Sequence, residues 1–159
     1  MKLITLIILF FTLTFIVEAK EIKQYNIKNT NNIKNTKDIV SKTLWLESSN
    51  QSTLGKKCVA SVIYNRAKGN PKDLTKVCLA KKQFSCWNKN KPDSIKIKPN
   101  ISYNECTSFA NDMVIGKFQI VNGFYGVNYY HEKKVKPKWA KTQWFVCKIG
   151  DHLFYRIPA

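Results

Sequence analysis

A chain of 159 residues has room for one domain with a modest core, which excludes a multidomain assembly. Lys and Arg total 27 against 10 Asp and Glu, a formal net charge of +17, which points to polyanionic surroundings: nucleic acid for a cytosolic protein, anionic envelope polymers or lipid head groups for an exported one. Two histidines, and five cysteines with no C-x-x-C spacing, argue against a zinc site.

Taken in chain order, residues 1–19 read as a secretory leader. Lys2 is the positive n-region, Leu3 to Val17 is an apolar run, and Val17-Glu18-Ala19 offers small residues to a signal peptidase. The run is shorter than the roughly 20 residues a bilayer span needs, so no stable membrane span is expected after cleavage. Removing the leader deletes Lys2 and Glu18 and leaves the net charge unchanged. Residues 20–37 are Asn, Lys, Ile and Thr without a packable pattern and are expected to form a flexible linker. The folded unit is then expected over residues 38–159.

Within it, Asp38 can cap a helix carrying Ile39, Val40, Thr43, Leu44 and Leu46, with Glu47 in its last turn. Ser48 to Thr53 is a polar break. Leu54 to Ala67 predicts a second helix, with Leu54, Cys58, Val62 and Ile63 as its buried stripe and Gly69 as its stop. Pro71-Lys72-Asp73 opens a short helix or turn. Lys81 to Asn100 is loop-like yet contains Gln83-Phe84-Ser85-Cys86-Trp87. Ser102 and Glu105 have capping-box spacing before a third helix that Gly116 ends. An aromatic cluster, Phe124, Tyr125, Tyr129 and Tyr130, leads to His131, and Gly150-Asp151 between two apolar runs predicts a terminal hairpin. The fold class is therefore mainly α, with a small C-terminal β-hairpin. Export permits disulfides, and Cys78 and Cys86 lie close enough in sequence to form a pair; the odd count leaves at least one thiol free.

Carboxylates are scarce, and most have ordinary roles. Glu18 lies in the leader, Glu21 in the linker, Asp38 and Glu105 at helix starts and Asp151 in a turn, while Asp73, Asp93, Asp112 and Glu132 have polar neighbours. Glu47 alone follows Trp45 and Leu46 at a helix end. Burial against such neighbours disfavours a charged carboxylate, the usual setting of a general acid.

Several blocks, in order, resemble the cell wall hydrolase family of spore-cortex-lytic (SleB-like) enzymes, found also among bacterial and phage lysins. They are Leu44-Trp45-Leu46-Glu47, Val59-Ala60-Ser61-Val62-Ile63-Tyr64-Asn65-Arg66, Val77-Cys78 with Gln83-Phe84-Ser85, Tyr130-His131, Pro137-Lys138-Trp139-Ala140 and Ile149-Gly150-Asp151-His152-Leu153-Phe154-Tyr155. The resemblance implies a lysozyme-like domain that cuts peptidoglycan glycan strands between N-acetylmuramic acid and N-acetylglucosamine. It also implies a lytic transglycosylase route with Glu47 as the single catalytic acid. No cofactor or metal is implied, and the expected partners are glycan strands and, through the net charge, anionic envelope polymers, with no nucleic acid and a monomeric chain. Gln83, Phe84, Ser85, Trp87, Tyr130 and His131 are the expected substrate-binding residues, with Asn65, Arg66 and Gln51 in support. Phe84 and Trp87 have a competing reading as core residues, and His131 one as a structural histidine.

The chain departs from the family where Glu-Ala-Arg-Gly-Glu is usual: Glu47-Ser48-Ser49-Asn50-Gln51 keeps the first carboxylate and turns the second into an amide, which can hydrogen-bond but not carry charge. Competing readings are a zinc amidase built on His131 and His152, a non-catalytic basic module for envelope polymers, and a secreted nuclease favoured by charge alone.

Overall fold

The computed structural model describes residues 2–158, with side chains from residue 20 onward except at a few positions between 22 and 28. It divides into two units, the first ending at Asn35 and the second beginning at Thr36. Among the described residues no helix is long and apolar enough to cross a membrane. The side chains of the leader, residues 1–19, lie outside the described ones.

Helix α1 spans Lys2–Ser48. Residues 20–37, expected as an irregular linker, are helical within it. The stretch contains no Gly or Pro, so nothing terminates the helix once it has nucleated.

Helix α2 (Thr53–Arg66) starts where Ser52 Oγ accepts the Gly55 amide at 3.2 Å, an N-cap that ends the polar break. Beyond its C-terminus Lys68 and Gly69 adopt φ +52° and +71°, and the Gly69 amide closes on the Tyr64 carbonyl. A short helix, α3 (Leu74–Leu79), follows the Pro71 turn. Helix α4 (Ile101–Val114) is capped by Asn100, whose Oδ1 accepts the Tyr103 amide. The expected Ser102–Glu105 box does not form: Ser102 Oγ donates to the Ser49 carbonyl, and Glu105 pairs with Lys56 Nζ at 3.0 Å. Asn100 wins because it stands two residues earlier with its side chain free to reach the first turn.

Val40 and Leu44 from α1 meet Cys58, Val59, Val62 and Ile63 from α2, Leu74 and Cys78 from α3, and Cys106, Ala110 and Met113 from α4 in one buried cluster. Leu54, expected in the buried stripe, is 51% exposed; Val59 takes that place.

Three strands complete the domain: β1 (Tyr129–Glu132), β2 (Phe145–Ile149) and β3 (His152–Tyr155), antiparallel throughout in the order β1-β3-β2. The β2–β3 pair is the expected hairpin, turning at Gly150 with φ +57°. Strand β1, expected only as an aromatic approach to His131, pairs Tyr130 with Phe154 and Glu132 with His152.

All five cysteines are free thiols, so the expected Cys78–Cys86 pair is absent. Cys78 faces inward from α3, wholly buried, and desolvation pushes its thiol up to about 12. Cys86 stands on the outer turn beside Glu47.

Candidate active site

Glu47 sits in the last turn of α1, half-buried, at the wall of a cavity of about 510 Å³. Three groups from distant parts of the chain converge on its carboxyl. Tyr130 Oη donates to Oε2 at 2.9 Å, while Ser85 Oγ and the Cys86 amide both donate to Oε1 at 3.3 Å. One helix end, one loop and one strand thus fix both oxygens of a single side chain. The Tyr130 hydroxyl is raised well above its ordinary range, by desolvation first and by the adjacent carboxylate second, so it stays a neutral donor.

Tyr130 is itself held from behind. Its ring meets His152 at 5.0 Å and Phe154 at 5.8 Å between centroids. The loop leading into β1 is anchored to the end of α2: Asn65 Nδ2 donates to the carbonyls of Phe124 and Val127 at 2.7 and 2.9 Å, and Arg66 Nε donates to the Asn128 carbonyl at 2.7 Å. The Arg66 guanidinium lies between the rings of Phe84 and Tyr129, 5.2 Å from each centroid. Asn65 and Arg66 therefore place β1, and through it Tyr130.

The other expected residues divide. Gln83, Ser85, Tyr130 and His131 line the Glu47 cavity. Phe84 does not: it is 1% exposed, a core side chain that supports Arg66 and offers no face to a sugar. Trp87 packs against the core and donates from Nε1 to Thr43 Oγ1 at 3.0 Å, outside the cavity lining. Phe84 immediately precedes the short Ser85–Trp87 turn, whose Ser85 hydroxyl and Cys86 amide reach Glu47 while Trp87 lies half-buried against the core. His131 stacks on Tyr155 at 5.3 Å, and both its ring nitrogens are committed. Nδ1 lies 2.8 Å from the Glu132 carbonyl, to which it donates, and Nε2 lies 3.0 Å from the Tyr155 hydroxyl.

Gln51 serves the hairpin. Its Oε1 accepts the Asp151 amide at 3.1 Å and packs into the Gly150 turn, where a Cβ would stand 2.2 Å from it. The Gln51 amide thus joins the end of the polar break to the β2–β3 turn, and Gln51 is absent from the Glu47 cavity lining.

Sequence reasoning missed several cavity residues. Lys82, Asn88, Glu132, Val135 and His152 join the lining. Glu132 has polar neighbours in sequence, but the two-residue period of a strand puts it on the same face as Tyr130. His152 is 2% exposed, and its Nδ1 finds no hydrogen-bond partner among the described residues. Among those residues no group of three or more His, Cys, Asp or Glu side chains converges as a metal site.

None of the curated proteins compared matches the chain. The catalytic domain of the SleB protein of Bacillus cereus, known from a crystal structure, superposes with a TM-score of 0.58 at 24% identity, covering 77% of this chain and 90% of that one. That likeness identifies the fold as the lysozyme-like helical one. The family model for Cell Wall Hydrolase matches residues 50–155, a span that opens just after Glu47 and takes in Ser85, Tyr130 and the hairpin. The chain belongs to the cell wall hydrolase family of peptidoglycan-degrading enzymes.

Proposed function

We propose that this enzyme cleaves the glycan strand of peptidoglycan between N-acetylmuramic acid and N-acetylglucosamine, with Glu47 as the acid. The observation that carries the reading is the carboxyl group of Glu47 held at a cavity wall by Tyr130, Ser85 and the Cys86 amide. Glu47 gives its proton to the glycosidic oxygen as the C1–O bond breaks. As carboxylate it then takes the proton of the muramyl 6-hydroxyl, whose oxygen closes on C1 to leave a 1,6-anhydro end. Ser85 and Gln83 supply hydrogen bonds to hydroxyl and acetamido groups.

A second reading is favoured by one observation. Glu132 lines the same cavity, so a second carboxylate is available to activate water, and the outcome is then hydrolysis. Mass spectrometry of fragments released from purified peptidoglycan separates the two. Anhydromuropeptides support the transglycosylase route and reducing-end muramic acid supports hydrolysis. Free stem peptides, the product of an amidase, overturn both, and no release at all favours a non-catalytic basic module.

The leader reading places the enzyme outside the cytoplasm, where a cell wall substrate lies. N-terminal sequencing of exported protein then begins at Lys20. Exposed lysines, Lys81, Lys89, Lys91, Lys96 and Lys98 among them, suit a wall rich in anionic polymer.

A further inference from the structure

A second cavity, of about 320 Å³, adjoins the one that holds Glu47. The two share Arg66 and Gln83 as a common wall, so they lie side by side. Their chemistry differs. Val77, Ala80 and the Tyr129 ring give the second compartment apolar walls, whereas Gln83, Asn128 and Lys68 supply its polar groups. No carboxylate is among its lining residues, while Glu47 and Glu132 both line the first.

Two cations border this compartment, and of the two only Arg66 has a carboxylate close by, Glu47 across the shared wall. Lys68 is exposed and has no ion-pair partner among the described residues. It sits in the left-handed region at φ +52°, an unfavourable conformation for a side chain with a Cβ, and with Gly69 it turns the chain off the end of α2 so that Lys68 borders the cavity. Arg66 leaves Nη1 buried with no hydrogen-bond partner among the described residues. Small apolar walls beside an unpaired ammonium and an unmet guanidinium N–H describe a receptor for a short peptide of small side chains that carries a carboxylate.

We propose that this compartment binds the acidic stem peptide attached through the lactyl group of the muramyl residue. Its alanine methyls lie against Val77 and Ala80, and a stem carboxylate faces Lys68. The proposal rests on the glycan-cleavage reading, because it requires the muramyl sugar to occupy the adjoining cavity at Glu47. It makes Lys68 a specificity-determining residue that selects peptide-bearing strands over bare ones.

The test compares purified full-length enzyme and its Lys68→Asn variant on intact peptidoglycan and on the same material stripped of stems by an amidase. Asn tolerates the left-handed backbone, so the substitution removes the charge without breaking the turn. The expected result is a fall of about fivefold in kcat/KM on intact peptidoglycan, the upper end of what one exposed charge contact delivers. On stripped glycan the wild type is no better than the variant. That equality also serves as the folding control, and Lys68→Gly should behave the same way. An equal loss on both substrates, or no loss on the intact one, overturns the proposal while leaving glycan cleavage standing. If the wild type releases glycan fragments from neither substrate, the glycan-cleavage reading itself fails, and the subsite with it.

Discussion

Replacing Tyr130 with Phe removes one oxygen atom and the shortest hydrogen bond to Glu47. The three donors are unequal: Tyr130 Oη lies 2.9 Å from Oε2, whereas Ser85 Oγ and the Cys86 amide lie 3.3 Å from Oε1, near the long end of hydrogen-bonding distance. The variant therefore leaves Oε2 without its donor and the carboxyl plane held by two weak contacts. A hydrogen bond to a charged group contributes about 1.5–3 kcal/mol, so the rate of glycan cleavage should fall about 10- to 100-fold. The ring contacts with His152 and Phe154 persist, so the melting temperature should move by only a few degrees. The assay is release of soluble fragments from purified peptidoglycan, with kcat and KM separated, beside a thermal melt. Because Tyr130 acts through Glu47, the loss belongs in kcat. A kcat within twofold of wild type in a folded variant would refute the positioning role, and a loss confined to KM would make Tyr130 a sugar contact instead.

Three further outcomes follow from the same structure. Gly150→Ala forces a Cβ into the left-handed region and against Gln51 Oε1, displacing it from the Asp151 amide; a cost of about 2–3 kcal/mol is expected in denaturant melts. Adding Gln51→Ala should recover part of that cost in a double-mutant cycle, and strict additivity would mean the two residues do not interact. Leu44→Ala empties a fully buried site in the central cluster and should destabilise the fold by about 2–5 kcal/mol. Burial holds the His152 imidazole below its ordinary 6.5, so the unfolded chain takes up a proton that the folded one refuses. Its contribution is complete above pH 6.5 and lost as the pH falls below it, and His152→Phe should flatten that part of the stability–pH curve.

The elements with strong local signals were legible in the sequence. Helix α2, within one residue of its expected bounds, the Gly69 stop and the Gly150-Asp151 hairpin each depend on residues within a few positions of one another. What escaped depends on distance in sequence. The β1 strand forms because β3 offers it an edge, and its short aromatic run had no turn to announce it. The grouping of Glu47 with Ser85 and Tyr130 came from family resemblance, and the bonds that tie them span 38 and 83 positions. Phe84 and Trp87 show the limit of residue type: an aromatic beside the site suits a sugar platform or the core equally well, and only the burial of Phe84 and the Trp87 bond to Thr43 decide for the core. The Cys78–Cys86 expectation failed for the same reason, because short separation says nothing about which way each side chain points.

The central claim is that Glu47 performs the acid chemistry on a glycan bond. Glu47→Gln keeps the shape and an oxygen to accept from Tyr130 but removes the transferable proton. The most direct measurement is mass spectrometry of the fragments released from purified peptidoglycan by equal amounts of folded wild type and variant. The account predicts anhydromuropeptides or reducing muropeptides from the wild type and a loss of at least about a hundredfold in their yield from Glu47→Gln. Undiminished release by the variant would contradict it.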